Sequence, residues 1–297
     1  MKTKRTTAIF YAILAAALYA ISSPVSKILL VEVPPTMMAA LLYLGAGIGM
    51  SIIAFYRFRT GKITDEMKLT KKELPYTIGM IVLDIIAPIF LMVGLTMTTP
   101  ATVSLLNNFE IVATSLIALF IFKEHINKRL WLAIGLITIS SMLLSVEDFS
   151  NLSFSFGSLL VLLASISWGF ENNITRKLSV KDPLQVVILK GFGSGLGSLL
   201  ISLVLRETTS NLLYIGLTLL LGFVAYGLSI YLYVYAQRYL GAAKTSAYYA
   251  VAPFIGAGLS LMIFLEIPSF TFIIALLIMI IGTYFATTDN KQSKITD

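Results

Sequence analysis

With 297 residues, 57% of them hydrophobic and only 12% charged, the chain has too few charges to cover a water-soluble domain, where about 25% is usual. The absence of cysteine excludes disulfides, thiolate metal sites and cysteine nucleophiles, and a single histidine, His125, has no second histidine with which to form a metal site. The net charge of +7 falls in short connectors between apolar blocks, which membrane orientation explains without a nucleic-acid partner.

In chain order the apolar blocks predict ten membrane-spanning helices: 8–31, 36–56, 75–97, 100–122, 130–146, 157–177, 183–205, 212–236, 242–265 and 269–287. Blocks this long match the roughly 20 residues that a helix needs to cross about 30 Å of hydrocarbon. The opening Met1-Lys-Thr-Lys-Arg5 imitates a secretory signal, but the apolar run after it is too long for a signal core, so it is read as span 1. Of the 22 Lys and Arg residues, Lys27 and Lys190 lie in spans. Nineteen of the others fall on one side if the N-terminus is inside, leaving Arg206 alone outside. Basic residues are held on the cytoplasmic side, so both termini are expected to be cytoplasmic.

A charge in the hydrocarbon costs roughly 2.5–3.5 kcal/mol on insertion scales, so each one demands a partner or a wet cavity. Five stand out: Lys27, Asp84, Glu110, Glu171 and Lys190. Lys27 reads as a side chain whose long stem snorkels to the outer interface. For Asp84 and Lys190, ion pairing that locks helices and lining of a cavity are equally good readings. In span 4, Asn107, Glu110 and Thr114 follow an i, i+3, i+7 spacing that places them on one helix face. In span 6, Trp168 and Asn172 accompany the pair Ser167 and Glu171; span 8 carries a stripe of Tyr226, Tyr233 and Gln237, and span 9 holds Tyr248 and Tyr249. Carboxylates, amides and aromatic walls together suit a small polar solute, and ring faces favour an amine. The expected substrate-binding residues are Asn107, Glu110, Trp168, Glu171, Tyr226, Tyr233 and Tyr248, with Glu110, Glu171 and Asp84 as candidates for coupling to a proton. The bland alternative for the tyrosines is an interfacial belt, which is the preferred reading for Tyr231 and Tyr235. The glycine rows of spans 2 and 7, Gly45/Gly49, Gly191/Gly195 and Gly193/Gly197, have the spacing of close helix packing, with a pivot as the functional alternative.

The chain also repeats itself. Gly45, Gly47 and Gly49 recur as Gly191, Gly193 and Gly195, and Phe122-Lys-Glu124 recurs as Phe264-Leu-Glu266. Five spans per copy force the copies into opposite orientations, giving a 5+5 inverted repeat in an all-α integral membrane fold. The division is 1–147, 155–288 and a cytoplasmic tail at 289–297.

Both halves resemble the EamA-type domain of the drug/metabolite transporter superfamily. The likeness rests on Leu18-Tyr-Ala-Ile-Ser-Ser-Pro-Val-Ser-Lys27, on Ala252-Pro253 thirteen residues before Glu266, and on Gly135 in span 5. Ile111 departs from the usual proline after Glu110, and Tyr43 or Leu44 stands where many members have arginine. The resemblance implies a multi-pass transporter of the cell membrane with a cavity between the halves, and it favours export. It names no substrate. The expected activity is alternating-access transport of a small polar metabolite, an amino acid or a relative, with no cofactor and no metal. A channel-like or facilitative permease for amines or cations is the runner-up. A membrane-embedded enzyme is the weakest reading, because no cluster of His, Cys, Asp or Ser gathers at one depth. Oligomeric state, coupling ion and substrate identity stay open at this level.

Overall fold

Proline and small polar residues set where the helices begin. Pro35, Pro100 and Pro183 occupy first turns, where a missing N–H leaves no bond unmade. Thr99, Asn127, Asp182 and Asn211 accept from backbone amides two or three residues on, satisfying donors that helix starts leave free. The computed structural model describes residues 2–60, 69–123, 125–148, 153–175, 178, 181–240, 245 and 248–288. Its helices are α1 (Lys2–Ala20), α2 (Ser22–Leu29), α3 (Pro35–Arg59), α4 (Leu74–Met97), α5 (Pro100–Leu106), α6 (Phe109–Phe120) and α7 (Lys128–Ser145) in the first part. A short antiparallel ribbon of β1 (Val146–Asp148) and β2 (Ser153–Phe154) follows. Then come α8 (Phe156–Thr175), α9 (Pro183–Val204), α10 (Leu212–Leu221), a π-helical turn at Gly222–Leu228, α11 (Ser229–Leu240), α12 (Ala252–Phe264) and α13 (Phe270–Thr288).

Among the described residues, eight helical stretches are long and apolar enough to cross a membrane. Two more fall short for different reasons. α12 has only 13 residues, and α8 carries Glu171, Asn172 and Asn173 in its last turns. The fold is all-α apart from the ribbon, and the chain is a multi-pass membrane protein.

The main helix pairings each join an element before residue 146 to one after residue 155: α3 with α9, α4 with α8, α7 with α13, α1 with α11, and α5 with α12. The largest apolar cluster, around Met38, Leu42, Tyr43, Leu91, Trp168 and Tyr226, sits between these partners. Glycine permits the closest crossing. A methyl group on Gly191 would lie 2.5 Å from the backbone nitrogen of Gly47, and one on Gly45 would collide with the carbonyl of Leu219. The packing reading of the glycine rows therefore holds at α3, α9 and α10. Gly135 differs, because nothing comes within 4 Å of the position a methyl group would take.

Four spans expected to run unbroken are not regular. Span 1 is interrupted at Ile21, and span 4 at Asn107–Asn108. Span 8 takes the π turn, and span 9 turns at Ala250–Val251 before α12. Asparagine side chains compete with the helix for backbone partners, and Pro24 and Pro253 each remove a helical donor. Neither effect alters hydropathy, so neither shows in an apolar profile. The repeated ends share a backbone feature too: Lys123 and Leu265 both adopt a left-handed conformation, at φ 57° and 51°, which is uncommon outside glycine.

Lys27 sits at a helix end. Its ammonium donates to the carbonyls of Leu95 at 2.6 Å and Thr98 at 3.0 Å, satisfying acceptors that the last turn of α4 leaves open. Lys27→Met is expected to destabilise the fold by about 1–3 kcal/mol, the usual loss for stranded buried acceptors. Reversible unfolding in mixed micelles measures it.

Candidate functional site: a charged and tyrosine-lined core between the two parts of the chain

Three helices converge on Lys190. From α9 its ammonium lies 3.0 Å from Asp84 Oδ2 on α4 and 3.2 Å from Glu171 Oε1 on α8. The Tyr43 hydroxyl, on α3, donates to the second Asp84 oxygen at 3.0 Å. Asp84 is wholly buried, with both oxygens engaged. Ion pairs removed from water persist only when paired and hydrogen-bonded in this way.

Glu110, on α6, stands beside this network. Its Oε1 accepts from Asn172 Nδ2 on α8, and that amide also lies 3.3 Å from the Thr114 hydroxyl. Asn173 donates to the Thr114 carbonyl at 3.1 Å, joining α6 to α8 a second time. The two helices can meet because Gly169 faces Ala113, where a methyl group would come within 2.6 Å of the Ala113 side chain. Two carboxylates, of Asp84 and Glu171, thus share one ammonium, and a third, of Glu110, stands beside them on a neutral amide.

A row of rings runs away from the charges. Tyr43 packs on Tyr226 at 5.3 Å between centroids, Tyr226 on Tyr19 at 5.9 Å, Tyr19 on Tyr249 at 6.0 Å, and Tyr249 on Tyr233 at 4.9 Å. Tilted and edge-on contacts at these spacings are favourable for aromatic pairs. Ser22 donates to the Tyr226 hydroxyl at 3.2 Å, and Tyr226 itself lies in the π turn, a feature frequent at functional sites. At the C-terminal ends of α6 and α8, a pocket of about 220 Å³ is bordered by Thr114, His125, Asn172 and Asn173, so it reaches the amide that holds Glu110.

The model of the EamA-like transporter family matches residues 6–146 and again residues 155–288. The chain belongs to the EamA-like transporter family. It is 26% identical over 295 residues to an uncharacterized transporter of Methanothermobacter thermautotrophicus, covering 94% of this chain and 85% of that one. It is also 26% identical over 198 residues to the uncharacterized transporter YyaM of Bacillus subtilis, covering 63% of this chain and 65% of the relative. A solved crystal structure shares the fold, with a TM-score of 0.66 at 17% identity over 98% of this chain and 99% of that one. Family membership points to a membrane transporter rather than an enzyme.

Within this EamA-like transporter, the structure gathers Glu110, Glu171, Asp84, Tyr226 and Tyr233 around one region. Trp168 is buried in the apolar cluster with Leu106 and Tyr43. The expected face of Asn107, Glu110 and Thr114 is divided by the break at Asn107–Asn108. Glu110 and Thr114 both meet Asn172, whereas Asn107 lines a separate small void. On span 9 it is Tyr249 that enters the ring row, and Tyr248 has no ring contact among the described residues. The side chain of Gln237 lies outside the described residues. Tyr19 and Tyr43 also join the ring row, unanticipated from the sequence; the available signal was a tyrosine near Pro24 and another just before the glycine row of span 2. Tyr235 packs against Tyr11 at 5.3 Å, away from the row.

Proposed function

We propose that the chain is a secondary carrier that moves a small polar metabolite, an amino acid or a related amine-bearing compound, by alternating access at the cell membrane, with export as its direction. The observation that carries this reading is the charge imbalance at the core. Two carboxylates pair with one lysine, a third, of Glu110, stands beside them, and among the described residues Glu110 accepts only from the neutral amide of Asn172. A substrate ammonium at Glu110, against the rings of Tyr19 and Tyr249, would offset that excess and gain cation–π attraction.

The architecture we propose is ten spans in a 5+5 inverted repeat, divided at 1–147 and 155–288, with both termini cytoplasmic. Its support is the pairing pattern. Exchanging each span for the one five later turns α4 with α8 (spans 3 and 6) into α11 with α1 (spans 8 and 1). The same exchange leaves α3 with α9, α5 with α12 and α7 with α13 unchanged. The shared left-handed residues Lys123 and Leu265 fit the same relation. Because the chain has no cysteine, single-cysteine labelling tests the topology cleanly. Ser153→Cys should react with an impermeant reagent in intact cells, while Lys62→Cys and Lys181→Cys should react only after the membrane is opened. Labelling of Lys62→Cys in intact cells would overturn the orientation.

A proton is the coupling ion in this reading, carried by Glu110 or Glu171; Asp84 is the weaker candidate because Lys190 and Tyr43 engage both its oxygens. Gln keeps the shape of Glu but releases no proton. Glu110→Gln in proteoliposomes should therefore abolish gradient-driven transport of the substrate and leave exchange at equal pH largely intact. Equal loss of both modes would mean that the carboxylate only binds substrate. Wild-type transport indifferent to a pH gradient would remove the proton and leave facilitated diffusion.

A further inference from the structure

Away from the charged core, three interrupted spans meet around a void of about 10 Å³, bordered by Ala20, Ser23, Ser104, Asn107, Pro253 and Gly256. The interruptions are those at Ile21, Asn107–Asn108 and Ala250–Val251, and the elements beside them pack on one another. The groups gathered there are oxygens, and Asn107 Oδ1 among them has no donor among the described residues. Pro24 has no N–H to offer the carbonyl of Ala20 four residues earlier, and Pro253 has none for that of Tyr249. Ala20 O and Ser104 Oγ both flank Gly256, lying 3.0 and 2.9 Å from where its methyl group would be. Ser104 spends its proton on the Pro100 carbonyl, which leaves its lone pairs free. Asn107 is more than nine-tenths buried, lines the void, and its Oδ1 has no hydrogen-bond partner among the described residues. A buried acceptor left unmet is destabilising by about 1–3 kcal/mol, so such a cluster calls for an occupant.

We infer that this void binds a single sodium ion, held by the Ala20 carbonyl, Ser104 Oγ, Asn107 Oδ1 and the Ser23 hydroxyl. Uncharged oxygen ligands suit a hard monovalent cation. A divalent ion would call for carboxylates, and no group of three His, Cys, Asp or Glu suited to a metal exists among the described residues. The space is about that of one water, which favours Na⁺ over the larger K⁺. Unwound backbone at helix breaks is where membrane carriers coordinate such ions. The ligands come from spans 1 and 4, and Pro253 and Gly256 of span 9 close the void. Bound Na⁺ therefore ties the break in span 1 to the break in span 4, beneath Pro253 and Gly256 of span 9.

The test is the thermal midpoint of the purified full chain without substrate, in NaCl, KCl and choline chloride at equal ionic strength. NaCl alone should raise the midpoint saturably, by about 2 °C at ten times the dissociation constant. Ser23→Ala and Asn107→Leu should abolish the rise, and Asn107→Asp, which adds a negative charge, should keep it at lower NaCl. Glu110→Gln should also keep it. Equal rises in all three salts, or a sodium-specific rise that survives both Ser23→Ala and Asn107→Leu, would leave only a water in the void and overturn the site. Loss of the rise in Glu110→Gln with retention in Asn107→Leu would place the cation at the carboxylates instead, and that too would overturn it.

Discussion

Lys190→Met is expected to lower the stability of the folded protein by about 3–5 kcal/mol, the usual consequence of removing one partner from a buried ion pair. The reason is local. Asp84 is fully buried and loses the one cation paired with it among the described residues, retaining the Tyr43 hydrogen bond, and Glu171 loses the same partner. The triple change Lys190→Met, Asp84→Asn, Glu171→Gln should recover most of that loss, because it removes the stranded charges as well as the lysine. Reversible unfolding of the three proteins in mixed micelles checks both figures. If the single variant is as stable as the parent, Lys190 is not held between the two carboxylates. A triple variant as unstable as the single one would assign the loss to the lysine stem's packing rather than to charge.

The second large effect is steric. Gly191→Val should destabilise by about 1–3 kcal/mol or more, since overpacking at a tight contact forces backbone to move. Even the first added carbon would sit 2.5 and 2.6 Å from the backbone nitrogen and Cα of Gly47, neither of which can rotate away. Gly135→Ala provides the control. It has open space around it and substitutes a better helix former, so it should be neutral or slightly stabilising. Heat-induced loss of the monomer peak in detergent chromatography separates the two variants. A neutral Gly191→Val would mean that α3 and α9 do not cross at these glycines.

The two effects bear on mechanism in different ways. The glycine crossing brings α3 against α9, one element from each matched segment of the family. The ion network joins α4, α8 and α9, and in the function we propose its carboxylates are where a proton or a cationic substrate would change the charge balance. Glu110 differs from its two neighbours in being only partly buried, and Asn172, which holds it, also borders the pocket beside His125.

Much of this was legible in the sequence. The apolar blocks located the helices, since the transfer of each segment into hydrocarbon depends on its own residues and on nothing distant. The glycines at 45, 47, 191 and 195 announced close crossings for the same reason: a missing side chain is a local fact. The rarity of charge singled out Asp84, Glu110, Glu171 and Lys190 before any contact was known. What the sequence left undecided was partnership. Asp84 and Lys190 suited a lock and a cavity equally well, and only the fold brings Lys190 between Asp84 and Glu171, from another helix in each case. Asn172 reaches Glu110 across 62 residues of chain, a distance no periodicity reports. The break at Asn107–Asn108 was hidden because an apolar profile averages over it. It turns Asn107 away from Glu110, so two residues that share a face on an ideal helix serve two places. The sequence by itself thus determined which segments are apolar and which of their residues are costly in hydrocarbon. The tertiary structure alone decided which of those residues meet, because pairing depends on distance between segments and hydropathy does not.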